Sequence, residues 1–182
     1  MSTKTCCKTS VGVLILSADR SELLMIERNT LPAGIAPVAG HALDEHDSYQ
    51  DAAREEVSEE IGLLVTGLRR LPGGGYHPGR CRRENSTGHT WELFEATVAG
   101  NLDPSEREVA AVDWWDLSEI QPLADRTAAY AAGRLSTYEF AEEPGLEPVW
   151  CHHLTELGYI TLAADDLDRI EALAATPPAL HP

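Results

Sequence analysis

The chain contains no run of apolar residues approaching the roughly 18 of a membrane span. Its opening MSTKTCCKTS also lacks the apolar core of an export signal. A cytoplasmic location is therefore expected. A disulfide framework is missing too: of the 4 cysteines, Cys6 and Cys7 adjoin in a polar leader, while Cys81 and Cys151 stand alone, so reduced thiols are the default. Positive charge is scarce. The chain has 14 Lys and Arg against 30 Asp and Glu, a formal net charge of -16, which disfavours nucleic-acid backbones and anionic membranes as partners. An anionic ligand would have to be met by locally recruited cations. No internal repeat is present, and 182 residues of ordinary globular composition suit one domain with an appended helical tail.

What is there begins with two β-branched apolar runs, Val11 to Ser17 and Leu23 to Glu27, parted by the turn-like ADRSE. They read as a β-hairpin. The following NTLPAGIAPVAGHALDEHD holds Pro32, Gly34, Pro37 and Gly40, too much punctuation for regular structure. Ser48 is a fitting N-cap, with Asp51 three residues on, for a helix from Tyr49 to Ile61 that ends at a left-handed Gly62. Strands are expected in LLVTGLRRLPGG, TWELFEATVA and EVAAVDWWDL, with a long polar loop at GYHPGRCRRENSTGH. Strands flanking a single early helix indicate α+β rather than repeated βαβ. Beyond Leu117, RTAAYAAGRLSTYEFAEE and LAADDLDRIEALAA have helical periodicity, and TPPALHP reads as a frayed end.

The helix itself is unusual. In AREEVSEEIGL four glutamates crowd six positions. Glu56, Glu59 and Glu60 fall within a fan of about 100°, and Val57 and Ile61 point elsewhere. Like charges at spacings of three and four cost about 0.2–0.5 kcal/mol per pair, so helix stability does not explain them. An acidic solvated face is the plain alternative in so acidic a chain. Converging carboxylates, however, suit hard divalent cations.

This segment resembles the signature of the Nudix hydrolases: G, five residues, E, seven residues, then R-E-U-x-E-E-x-G-U, with U a bulky aliphatic residue. Glu56-Val57-Ser58-Glu59-Glu60-Ile61-Gly62-Leu63 fits E-U-x-E-E-x-G-U at every defined position. Upstream, His41 stands in the glycine slot with Gly40 beside it, Asp47 replaces the first glutamate, and Glu55 replaces the arginine, with Arg54 one place early. Arg28 near the end of LLMIER, the W-x-x-L of Trp114 and Leu117, and Glu108 six residues before Trp114 extend the resemblance over about Val11 to Ile120.

The resemblance implies an α+β fold, a Nudix-type α/β/α sandwich with a mixed sheet and a loop-helix-loop metal site. It would comprise a flexible leader over 1–10, a Nudix domain over 11–120, and a helical extension over 121–182 packed on the domain or on a dimer partner. It implies hydrolysis of a pyrophosphate bond in a nucleoside diphosphate linked to another moiety X, with Mg²⁺ or Mn²⁺ held by Glu56, Glu59 and Glu60, and one of these or Glu108 as general base.

Arg80, Arg82 and Arg83, the densest basic cluster, and Arg28 are candidate substrate contacts, since the guanidinium fork matches phosphate. Trp91 and Tyr76 could stack on a base, although aromatics more often serve cores. His77, Cys81 and His89, with a fourth ligand from Cys151 to His153, could form a zinc site, but no paired spacing supports it. Leu167, Ile170 and Leu173 have the spacing of a packing face, for the domain or for a homodimer. The competing reading is a Nudix-fold nucleotide or metabolite sensor that has lost catalysis, motivated by Glu55 and His41. Isomerisation of prenyl diphosphates ranks last, for want of its cysteine and glutamate motifs.

Overall fold

Alternation along the first two strands already builds two hydrophobic cores. The computed structural model describes residues 5–30, 33–44, 46–81 and 83–175. Strands β1 (Thr9–Leu14) and β2 (Glu22–Arg28) send Val11, Val13, Ile15, Leu24 and Ile26 into one core and Leu14, Leu23 and Met25 into the other, as a period of two requires. Five further strands and a two-residue one follow: β3 (Ile35–Ala36), β4 (Val38–His41), β5 (Leu64–Arg70), β6 (Gly75–Pro78), β7 (Gly88–Ala99) and β8 (Val109–Asp116). One sheet runs β4-β1-β7-β5 with β6 also on β7, and a second runs β3-β2-β8. The β1–β7 pairing is parallel and the others are antiparallel.

Helix α1 (Tyr49–Ile61) covers the first core through Ala52, Ala53, Val57 and Ile61. Its ends follow the sequence signals: the Ser48 hydroxyl accepts from the Asp51 amide at 3.1 Å, and Gly62 ends it at φ 74°. The second core is roofed by α2 (Leu117–Ala131), α4 (Pro148–Glu156) and α5 (Ala164–Ala175), with α3 (Thr137–Glu142) beside α2. Helices on both faces of the strands complete the expected α/β/α sandwich. Trp150, 1% exposed, lies so close over β1 that a Cβ on Gly12 would sit 2.6 Å from its Cη2. Ile170 is buried in this core and Leu167 packs against it. Among the described residues no helix is long and apolar enough to cross a membrane.

Four expectations are corrected. The hairpin splays: β1 is paired on both edges, to β4 and β7, so β2 meets it only around Leu16–Leu23 and then runs along β8. The punctuated stretch after Arg28 still yields β3 and β4, because backbone pairing to β2 and β1 outweighs weak local propensity. Gly75–Pro78, assigned to a polar loop, is the strand β6. Residues of the expected flexible leader are engaged from Thr5 onward: Thr5 bridges Glu84, and the buried Cys6 donates its amide to the Glu84 carbonyl at 2.9 Å. The closing TPPALHP lies outside the described residues.

A histidine cluster sits at the edge of the second core. His77 on β6 packs against His152 and His153 on α4, with ring centroids 5.1 and 4.8 Å away, and His153 also meets Trp91 and Trp150 edge-on at 5.1 and 5.4 Å. Trp91, half-buried, therefore packs edge-on against Trp150 and His153, while Tyr76 is 60% exposed. Both ring nitrogens of His153 are buried without a hydrogen-bond partner. Burial, then the neighbouring His77 and His152, pulls its pKa down from 6.5 to about 3.

A base whose folded pKa is depressed contributes stability above its unfolded pKa and loses it as pH falls from about 6.5 toward 3. Glu171, Glu156 and Asp168 favour protonation of His77 or His152 but leave both depressed as well. His153 should lower stability as pH drops from 7 to 5 by up to about 1.4 kcal/mol per pH unit, against the opposite effect of the raised Glu56 and Glu60 carboxyls, which take up protons on folding in that range. His153→Gln should therefore gain urea resistance relative to the unmodified protein as pH falls, and parallel curves for the two proteins would contradict it.

Candidate active site

Packing of α1 decides where the acids go. Val57 and Ile61, both fully buried, fix the helix face, and Glu56 and Glu60, one turn apart, are turned toward β4. Glu60 is only 4% exposed, and its Oε2 accepts from the Ala39 amide at 3.3 Å. The Glu56 carboxylate lies directly over Gly40, where an added Cβ would overlap it. Gly40, one place ahead of the signature's slot, thus leaves the space that Glu56 fills. Glu59 is exposed at the outer edge of the helix.

Glu108 reaches the same place by another route. The turn before β8 is tied to the end of α1, with Asp103 donating to the Ile61 carbonyl and Ser105 to the Glu60 carbonyl, both at 2.9 Å. The Asn29 amide donates to the Glu108 carbonyl at 2.9 Å, and the Glu108 carboxylate pairs with Arg107 at 2.8 Å. The negative field that results is large. Burial, then Glu60, Glu59, Glu108 and Asp44, pushes Glu56 up to about 8. Burial raises Glu60 to about 7 despite the opposing pull of Arg28 and of the Ala39 amide. Carboxylates converging with too little positive charge between them match a hard divalent cation, and an all-oxygen donor set fits Mg²⁺ or Mn²⁺.

The cations are dispersed. Arg28, half-buried at the end of β2, acts electrostatically on Glu60 and also on Glu147, a fully buried acid at the start of α4. Burial raises the Glu147 pKa, while its carboxylate accepts from the Val149 and Trp150 amides. Arg54 turns away from the acids to the Val65 carbonyl at 3.0 Å, and Glu55 is exposed, as is Asp47.

Among the described residues of the arginine loop, Arg80 and Arg83 have different partners. Arg83 pairs with Asp44, Arg80 is exposed with its amide bonded to the Ala174 carbonyl at 3.1 Å, and Arg82 lies outside the described residues. The zinc grouping is also divided: His77 goes to His152 and Glu171, whereas Cys81 and His89 meet Cys6 and His41. Cys151 is buried in the second core. Gly40, Asp44 and Glu147 carried no signal as site residues in the sequence beyond Gly40's place beside the signature.

A mixed sheet between helices, with a glutamate-bearing helix after a glycine loop, defines a Nudix hydrolase, a pyrophosphohydrolase class acting on phosphoanhydride bonds in nucleoside diphosphate-linked compounds. The sequence model of the NUDIX domain matches residues 8–135, and the chain belongs to that family. The match runs past Ile120 through α2.

Solved structures agree in fold. The MutT NUDIX hydrolase from Burkholderia pseudomallei is 17% identical with a TM-score of 0.51, covering 61% of this chain and 84% of that one. The NUDIX domain of Shewanella oneidensis NrtR, complexed with ADP ribose, is 13% identical with a TM-score of 0.51, covering 66% and 77%. MutT protein from Methanosarcina mazei Go1 is 19% identical with a TM-score of 0.50, covering 66% and 85%. No curated protein matches the chain.

The fit of Glu56 over Gly40 is testable as a steric pair. Gly40→Ala is expected to destabilise the protein by about 1–3 kcal/mol, as overpacking does. Most of that loss should be regained in a Glu56→Ala background, measured as a double-mutant cycle by urea denaturation. Strict additivity would mean that the two groups do not compete for the space.

Proposed function

We propose that the protein hydrolyses a pyrophosphate bond in a nucleoside diphosphate linked to a further group X, in a reaction dependent on Mg²⁺ or Mn²⁺ bound by Glu56, Glu59 and Glu60. The observation that carries this reading is the seating of Glu56 over Gly40 and of the buried Glu60 on the Ala39 amide, with Glu108, from a separate segment, close enough to act electrostatically on both. A bound divalent ion would supply charge neutralisation for the phosphates and a lowered pKa for the attacking water.

The chain's own groups do the rest. Gly40 leaves Glu56 room, and the Ala39 amide fixes the Glu60 carboxylate. A carboxylate of this cluster, Glu108 included, takes the proton from the attacking water. Arg28 offsets the charge of Glu60 from the β2 side and supplies the bracing cation that Glu55 cannot. The exposed Arg80, with Arg82 two residues on in sequence, would draw in an anionic substrate while Arg83 remains paired with Asp44.

The test is a phosphate-release screen over nucleoside triphosphates, nucleotide sugars, dinucleotides and ADP-ribose, the last being the ligand seen in the NrtR domain. Product is expected only with Mg²⁺ or Mn²⁺. Glu60→Gln should lower kcat by about 100-fold or more while the melting temperature stays within a few degrees. Turnover that survives this substitution would remove Glu60 from the site. Tight calorimetric binding without product would instead support the sensor suggested by Glu55 and His41.

A further inference from the structure

We propose that Cys6, His41, Cys81 and His89 bind a structural zinc ion, separate from the carboxylate site. Their four donor atoms all lie within 4.8 Å of one another. Cys6 Sγ is 3.1 Å from His89 Nε2 and 3.6 Å from His41 Nε2, and His41 Nε2 is 3.3 Å from Cys81 Sγ. Zinc–sulfur bonds of about 2.3 Å and zinc–nitrogen bonds of about 2.0–2.1 Å set tetrahedral donor–donor edges of roughly 3.3–3.8 Å. The observed separations therefore differ little from those of a loaded site. The two imidazoles stand edge to face, with centroids 5.2 Å apart at 73°, which turns both Nε2 atoms toward the sulfurs without stacking the rings.

The surroundings of the sulfurs give a second, independent observation. Each cysteine sulfur accepts a hydrogen bond from the backbone amide two residues ahead: Lys8 donates to Cys6 and Arg83 to Cys81, both at 3.3 Å. Lys8 adopts φ 61°, a left-handed turn uncommon for a lysine, in the turn that makes the first of these bonds. Amides aimed at sulfur stabilise thiolate over thiol, as the outer shell of a metal–thiolate site does. Two thiolates and Zn²⁺ sum to zero charge, and two neutral imidazoles complete a closed shell suited to a partly buried position. The soft sulfur and imidazole donors select zinc, while the carboxylates select the hard ions.

The ligands come from four places far apart in sequence: the segment before β1, the end of β4, the β6–β7 loop, and β7 itself. Such a site would staple the N-terminal segment and the arginine loop to the sheet. It also accounts for the histidine in the signature's glycine slot. His41 anchors the strand end whose neighbour, Gly40, lies under Glu56, so the staple sets the floor of the acidic site without touching its chemistry.

The experiment uses the full chain, expressed with zinc and purified reduced without chelator. Elemental analysis is expected to find one zinc per chain. Glu60→Gln should retain it, whereas Cys81→Ser and His89→Gln should each lose most of it. Should those variants fail to fold, replacement of zinc by Co²⁺ in the unmodified protein provides the second readout. Thiolate-to-cobalt charge-transfer absorption with intense tetrahedral ligand-field bands is expected, since the carboxylate site has no sulfur. Zinc at background together with no charge-transfer band would overturn the proposal. So would zinc that persists in folded Cys81→Ser, or a mass showing a Cys6–Cys81 disulfide in the freshly isolated chain.

Discussion

The acidic site depends on one close approach, that of the Glu56 carboxylate to the bare Cα of Gly40. Helix α1 can lie this near to β4 only because the strand offers no side chain at that point. The same approach lets the Glu60 carboxylate reach the Ala39 amide. Val57 and Ile61 supply the burial that holds the helix down, and hydrophobic packing thereby bears the cost of crowding carboxylates together. The turn before β8 is fastened to the last residues of α1 and brings in Glu108. Three sequence-distant segments are thus registered to one another by the seating of one helix.

The C-terminal helices are coupled to this arrangement as well. Arg28 lies where its charge acts on Glu60 and on the buried Glu147 that begins α4. The Ile35 carbonyl accepts from the Glu147 amide at 2.8 Å, and the Gly145 carbonyl accepts from the Ile35 amide at 2.8 Å, so the strand next to β2 is bonded to the segment entering α4. The arginine's charge lowers the pKa of both buried acids against the rise that burial imposes, and the roof of the second core is linked electrostatically to the floor of the first. The helices after β8 therefore do more than cover apolar surface.

What the sequence disclosed follows the range of the forces involved. Helix α1 was legible to its terminal residues because its stop and start signals, Ser48 and Gly62, act within a turn of the positions they govern. The glutamate spacing was legible for the same reason. Strands β3 and β4 were hidden because their pairing partners, not their own proline- and glycine-rich residues, make them strands. Of the cysteine–histidine group, Cys81 and His89 were legible as neighbours in one loop, but Cys6 and His41 were hidden because the members are dispersed over four segments, with none of the paired spacings that mark a local metal motif. The arginine cluster shows the limit of sequence proximity: the Arg80 backbone amide bonds to α5, whereas the Arg83 side chain pairs with Asp44. Glu147 gave no sign, since nothing local distinguishes a buried helix cap from the many exposed acids of this chain.

The parallel pairing of β1 with β7 has a further consequence for how the protein comes into being. Thr9 finds its partner in Thr90, and Leu14 in Glu95, so the first strand made must wait for nearly half the chain before its central edge is filled. Trp150, which closes over Gly12 on that same strand, arrives later still. Closing loops of that length is entropically costly and slows folding. During synthesis on the ribosome β1 can be partnered early only by β4, on its other edge, and the second core closes when the helices after β8 have emerged.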